Sequence, residues 1–313
     1  MGKLVNGKWN KQSIVTSNKQ GDYERIPRTF RNTISENDPV FAPEANRYHL
    51  YVSLACPWAH RALIMRILKR LNNIIDVSVV HPDMLEMGWS FDKNYEKSTG
   101  DKLYDLEYLF QIYQKSMKNL TTSVTVPVLW DSKTETIVNN ESSDIIRIFN
   151  SSFNNLTKDH QDFYPDKLRV EIDELNNEIY HNINNGVYRA GFAKTQNAYD
   201  EAVRSVFESL EWIERRLERK KYLVGDELTE ADIRLIPTLL RFDCVYYIHF
   251  KCNIKKITEF PNISKYLESL YAINAVKSTL NIDHIKRHYY FSHKHINPLR
   301  IIPRGPLNLI LTK

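Results

Sequence analysis

Residues 47–82 run strand, turn, helix, strand. RYHLYVS is rich in strand formers and ACPW breaks it. WAHRALIMRILKRL then places Ala62, Leu63, Met65, Ile67 and Leu68 at helical spacing, and DVSVVHP (Asp76 to Pro82) returns to strand. A strand, helix and strand of these lengths form a βαβ unit, because two parallel strands can be joined only through a crossover connection. A polar and aromatic insertion follows at 83–123, including GWSFD and a partly helical DKLYDLEYLFQIYQKS. Beyond it, VTVPVLWD and TETIVNN read as a hairpin turning at Asp131 to Lys133, and SSDIIRIFN reads as a helix.

The resulting order, βαβ then ββα, is the thioredoxin-like arrangement, here placed at 47–155. From about residue 165 the alternation stops and helical periodicity takes over in LRVEIDELNNEIYHNIN, YDEAVRSVFESLEWIERRLERK, ADIRLIPTLLRFDCVYYIHF and ISKYLESLYAI, which predicts an all-α domain over 165–291. Its clearest helix start is LTEADI, where Thr229 is an N-cap and Asp232 the residue that reaches back. Residues 1–46 carry three prolines in PRTFRNTISENDPVFAPEANR and little periodicity, and read as an extended arm. The aromatic, basic and proline-rich HIKRHYYFSHKHINPLRIIPRGP reads as an irregular stretch packed on the body, with 292–313 as the tail.

Composition narrows the function class. The 313 residues are 42% hydrophobic, enough for two cores, and no apolar run approaches the roughly 20 residues of a membrane span. The first residues are too polar for a signal-peptide core, so we expect a soluble, cytoplasmic protein. The net charge of +5 is spread along the chain, which argues against a nucleic-acid stripe. The basic run from Arg215 to Tyr222 reads as a solvated helix end. Three unclustered cysteines, Cys56, Cys244 and Cys252, give neither a disulfide framework nor a metal set.

Cys56 carries the chemistry. It falls where strand passes into helix, with Pro57 at the first helical position, so its sulfur faces backbone amides that stabilise a thiolate. In CPWA the second position of a redox CxxC is Ala59, so a mixed disulfide on Cys56 must be resolved by an outside thiol, and glutathione is the expected co-substrate. Cys244 and Cys252 lie in or beside an apolar helical run and read as packing. Thioredoxin-like domains place a proline, usually cis, beside the nucleophile, and Val126-Pro127 stands at that point. The Val126 backbone can pair with glutathione as an added strand. In NNESSDII, Ser142 and the helix amides can hold a carboxylate while Glu141 accepts an α-amine. His60, four residues after Cys56, is a weaker candidate. NNGVYRAGFA reads as a Gly-bounded loop presenting Tyr188 and Phe192 as an aromatic pocket wall.

With ACPWAHR, GWSF, TVPVLW, NNESS, NNGVYRAGFA and HYYFSH in one order, the chain resembles the xi-class glutathione transferases, the S-glutathionyl-hydroquinone reductases, which are related to the omega class. The resemblance runs from about Tyr23 to about Pro306. It implies a homodimer and a reaction in which glutathione reduces glutathionylated quinols, with no metal. It further implies that Cys56 is the nucleophile and that Trp89, Val126 and Pro127, and Glu141 and Ser142 hold glutathione. Tyr188 and a tyrosine of the pair Tyr289 and Tyr290 border the quinol. The chain departs from the family pattern at Ser123, where the family usually has an arginine that helps bind glutathione, and Lys118 is the nearby cation. An omega-like dehydroascorbate reductase or thioltransferase is the nearest alternative, and a non-catalytic interaction module of the same fold is the alternative of another class.

Overall fold

The structure is a computed structural model and describes residues 2–11 and 15–306. The chain divides into two compact units, each taken over its described residues. One comprises Met1–Ile14, Ile26–Gln161 and Thr279–Ser292, and the other Val15–Arg25, Asp162–Ser278 and His293–Lys313.

The first unit opens with strands β1 (Lys3–Val5) and β2 (Lys8–Asn10); the second unit contributes β3 (Thr16–Ser17) and β4 (Tyr23–Glu24). The layer that sets the fold of the first unit follows as β5 (Tyr48–Val52), α1 (Pro57–Leu68) and β6 (Ile75–Val79). The insertion supplies β7 (Met84–Leu85), β8 (Gly88–Trp89), α2 (Leu109–Ser116) and β9 (Thr122–Ser123). Then come β10 (Val128–Asp131), β11 (Thr136–Asn139), α3 (Ser142–Ser151) and the short α4 (Asn154–Thr157). The central sheet has the order β11-β10-β5-β6, with β5 and β6 parallel and the other pairs antiparallel. This is the thioredoxin-like topology read from the sequence. All five residues of β5 are buried, as befits a central strand covered on both faces. Helices α1 and α3 pack on each other; α3 turns Ile145, Ile146, Ile148 and Phe149 inward.

The arm departs from the sequence expectation. Residues 3–10 form a hairpin that joins β9 in a three-stranded sheet, β2-β1-β9. The turn is Asn6-Gly7, with φ of 47° and 73°, the pair of positive values a two-residue hairpin turn needs. The string VNGK carried that signal within a segment whose overall lack of periodicity suggested an irregular arm.

The second unit is helical: α5 (Arg169–Glu178), α6 (Gly186–Phe192), α7 (Gln196–Arg216), α8 (Glu230–Arg241), α9 (Tyr247–His249), α10 (Pro261–Tyr271) and α11 (Asn274–Lys277). The capping box at α8 forms as expected, the Thr229 N–H donating to Asp232 Oδ2 at 2.8 Å. π-helical turns at Ile179–Asn184 and Phe242–Tyr246 link α5 to α6 and α8 to α9.

Two expectations are corrected. NNGVYRAGFA is not a loop, because Gly186–Phe192 is helix α6. Its glycines serve close packing: a Cβ on Gly191 would lie 2.2 Å from Phe250, and one on Gly186 would lie 2.9 Å from Val206. Likewise the start of the presumed irregular C-terminal stretch is helix α12 (Ile282–Ser292), in the first unit. Ile285, His288 and Tyr289 recur at helical spacing and are buried, which outweighs the aromatic and basic character that suggested irregularity. Residues 293–306 contain no helix or strand, and the end of the expected tail, 307–313, lies outside the described residues.

Candidate active site

Cys56 is the N-cap of α1, in extended conformation (φ −75°, ψ 123°), and Pro57 takes the first turn where its missing N–H costs no bond. The Cys56 carbonyl accepts from the His60 N–H at 3.0 Å, closing the first turn. The sulfur is half-buried and donates to the Val126 carbonyl at 3.6 Å. None of the three cysteines is in a disulfide. Cys244 and Cys252 are fully buried, and burial pushes the Cys252 thiol up, so neither competes as a nucleophile.

The approach of Val126 follows from strand order. β10 runs antiparallel to β5 with Val128 opposite Tyr51, so the residues just before β10 lie beside the chain leaving β5 toward Cys56. The Val126-Pro127 bond is cis. A proline here removes no sheet bond, since the regular pairing begins at Val128.

Glu141 is the N-cap of α3, its carboxylate accepting from the Ser143 N–H at 3.2 Å and from the Ser142 hydroxyl at 3.3 Å. Ser142 is 2% exposed. Sequence reasoning missed the residue that ties this turn to the cis-proline segment. The buried Tyr113 hydroxyl donates to the Thr125 carbonyl at 2.8 Å and accepts from the Thr125 N–H and Asn140 Nδ2, each at 3.2 Å. It therefore holds the residues immediately before Val126 and before Glu141. The helical spacing of Leu109, Ile112 and Tyr113 marks the buried face of α2, and nothing in that spacing announces a hydroxyl with three partners.

Trp89 ends the hairpin β7-β8, which Gly88 allows at φ 76°. Tyr289 and Tyr290, on α12, are 1% and 4% exposed. Tyr188 belongs to the helical unit, half-buried on α6, with the Arg25 guanidinium 5.0 Å from its ring centroid and Phe250 at 5.3 Å. Its neighbour Tyr246, 6.1 Å away, was not singled out by sequence. Phe192 is 3% exposed and packs against Phe250 in the core. His60 is buried, with Nε2 3.0 Å from the Thr279 hydroxyl. Ser123 is buried in β9 directly across from Lys3, whereas Lys118 is exposed. Among the described residues no group of His, Cys, Asp or Glu has the arrangement of a metal site.

A thioredoxin-like layer carrying an N-cap cysteine beside a cis-proline, followed in sequence by a helical unit, defines the class: a glutathione transferase. Residues 55–152 match the model of the glutathione S-transferase N-terminal domain, and residues 196–269 that of the C-terminal domain. The chain is 50% identical over 313 residues to the glutathionyl-hydroquinone reductase YqjG of Escherichia coli (strain K12), covering 98% of this chain and 95% of that protein. The structure of YqjG with glutathione bound superposes with a TM-score of 0.89 at 48% identity, over 99% of this chain and 97% of that one. A xi-class glutathione transferase from Natrialba magadii gives a TM-score of 0.92 at 45% identity, over 99% and 94%. The chain belongs to the xi class of the glutathione S-transferase family.

Proposed function

We propose that this chain uses glutathione to reduce S-glutathionyl-hydroquinones to hydroquinones. The observation that carries the proposal is the thiol of Cys56 at the N-cap of α1, against the Val126 carbonyl, with Ala59 where a resolving cysteine would stand. Trp89, Val126, Pro127, Glu141 and Ser142 hold glutathione, and a tyrosine of the pair Tyr289 and Tyr290 borders the quinol. The thioredoxin-like unit thus supplies the thiol chemistry, and the tyrosines supply acceptor specificity.

The Cys56 thiolate attacks the sulfur of the glutathionyl substrate, forming an S–S bond as the carbon–sulfur bond breaks. The aromatic carbon takes a proton and leaves as hydroquinone, and a tyrosine hydroxyl stabilises charge on the quinol oxygen. A second glutathione, as thiolate, attacks the mixed disulfide, releasing oxidised glutathione and the Cys56 thiolate. The two electrons passed to the quinol carbon are those lost by the two glutathione sulfurs. We infer further that the protein works in the cytoplasm as a homodimer; no described helix is long and apolar enough to cross a membrane.

Turnover of glutathionyl-menadione tests the reaction. Cys56→Ala is expected to lower kcat by about a thousand-fold or more, the scale for losing a nucleophile. Full turnover by that variant sinks the mechanism, and dehydroascorbate turned over faster than glutathionyl-menadione by the unaltered chain sinks the substrate.

A further inference from the structure

Helix α12 grips the segment that carries Trp89 along its whole length. Arg287 pairs with both oxygens of Asp83, each at 2.7 Å, and Ser292 Oγ accepts from the Met84 N–H at 3.0 Å. Asp283 accepts from the Tyr95 hydroxyl and His284 Nε2 donates to the Glu96 carbonyl, both at 2.6 Å. At the centre, His288 Nδ1 lies 2.9 Å from the Pro82 carbonyl. A carbonyl only accepts, so this bond puts the proton on Nδ1 and sets the plane of the imidazole. That plane lies against the Trp89 indole, with ring centroids 4.8 Å apart and 24° between planes. Both side chains are buried, at 7% and 5% exposure. The hairpin is braced separately by the N-terminal strands: Trp9 Nε1 donates to the Glu86 carbonyl at 3.0 Å, and the Trp9 ring lies where a Cβ on Gly88 would be, 2.8 Å away.

We propose that His288 is a positioning residue that fixes the Trp89 indole for glutathione, so that one helix holds both this indole and the acceptor tyrosines Tyr289 and Tyr290. The proposal rests on the reading of Trp89 as part of the glutathione site. A ring pair buried on both sides, with one member locked by a backbone bond, leaves the indole a single orientation, and glutathione then binds without first ordering it.

The test compares Trp89→Phe, His288→Ala and His288→Phe in the full chain. It reads the glutathione Kd by calorimetry, KM and kcat with glutathionyl-menadione, and the rate of Cys56 alkylation by iodoacetamide. His288→Ala is expected to raise Kd and the KM for glutathione about five- to ten-fold, the upper range for an aromatic pair. kcat at saturation and alkylation stay within about two-fold, and His288→Phe, which keeps a flat ring against the indole but loses the bond to the Pro82 carbonyl, restores Kd in part. If His288→Ala slows alkylation and kcat together and His288→Phe gives no rescue, the residue is merely structural and the proposal fails. If Trp89→Phe weakens binding but His288→Ala does not, the proposal alone fails. Trp89→Phe binding glutathione as tightly as the unaltered chain, or no binding by the unaltered chain, overturns the reading of the site beneath it.

Discussion

At the residue scale, Cys56 and Tyr113 make opposite demands on a reader of the sequence. Cys56 is legible because its setting is local: the strand end, Pro57 and the helix start are neighbours in the chain. Tyr113 is illegible because its three hydrogen bonds reach Thr125 and Asn140, 12 and 27 residues away. Removing only its hydroxyl leaves buried backbone and amide groups unpaired, at a cost of about 1–3 kcal/mol. Tyr113→Phe is therefore expected to lower the denaturation midpoint and also raise the KM for glutathione, because the segments before Val126 and Glu141 lose their common anchor. Chemical denaturation and steady-state kinetics on one preparation check both, and an unchanged KM would confine Tyr113 to stability. The tyrosines split the same way. Tyr188 stood out in its motif, whereas its neighbour Tyr246 is visible only when α6 and the π-helical turn after α8 pack together.

Among the elements, most of those written in periodicity were recovered, while α12, whose buried Ile285, His288 and Tyr289 recur at helical spacing, was not. β5, α1, β6, the β10-β11 hairpin and α3 all follow from alternation or helical spacing, and the capping box of α8 from four residues. The N-terminal hairpin is a short element with a strong turn. Gly7 is held at φ 73°, and a Cβ there would lie 1.8 Å from the Lys118 carbonyl oxygen. A backbone atom cannot give way cheaply, so Gly7→Ala is expected to destabilise the first unit by more than the roughly 1–2 kcal/mol of left-handed strain alone. A thermal melt checks this, since the hairpin also pairs with β9; an unchanged midpoint would mean that β1 and β2 contribute little. α6 and α12 show the converse. Glycine and aromatic residues suggested irregular chain, yet Gly191 is there so that Phe250 can come close, and the aromatics of α12 sit on its buried face.

For the whole molecule, the buried charge state of the first unit makes stability depend on pH. His49 on β5 is 3% exposed, with Nε2 2.8 Å from the Ser78 hydroxyl, and burial lowers its pKa to about 4 from 6.5. Its folded pKa is depressed, so the unfolded chain binds the proton first as pH falls. The contribution is present above pH 6.5 and is lost progressively between 6.5 and about 4, amounting to about 3 kcal/mol in all, of which about 2 kcal/mol is gone by pH 5. Urea denaturation at pH 7.5 and 5 is expected to show this loss, and His49→Gln to remove much of it; equal pH slopes would exclude His49 as the source. The sequence by itself determined the thioredoxin-like order, the helical second half, the cysteine at the start of α1 and the proline beside it, because each is encoded by residues within one turn, one strand or one period. Tertiary structure alone decided what surrounds them: the Tyr113 hydroxyl between two turns, the His288 ring against Trp89, the depressed basicity of His49, and the close approach of Phe250 to Gly191. These depend on solvent exclusion and on contacts between residues far apart in the chain, and local pattern carries no record of either.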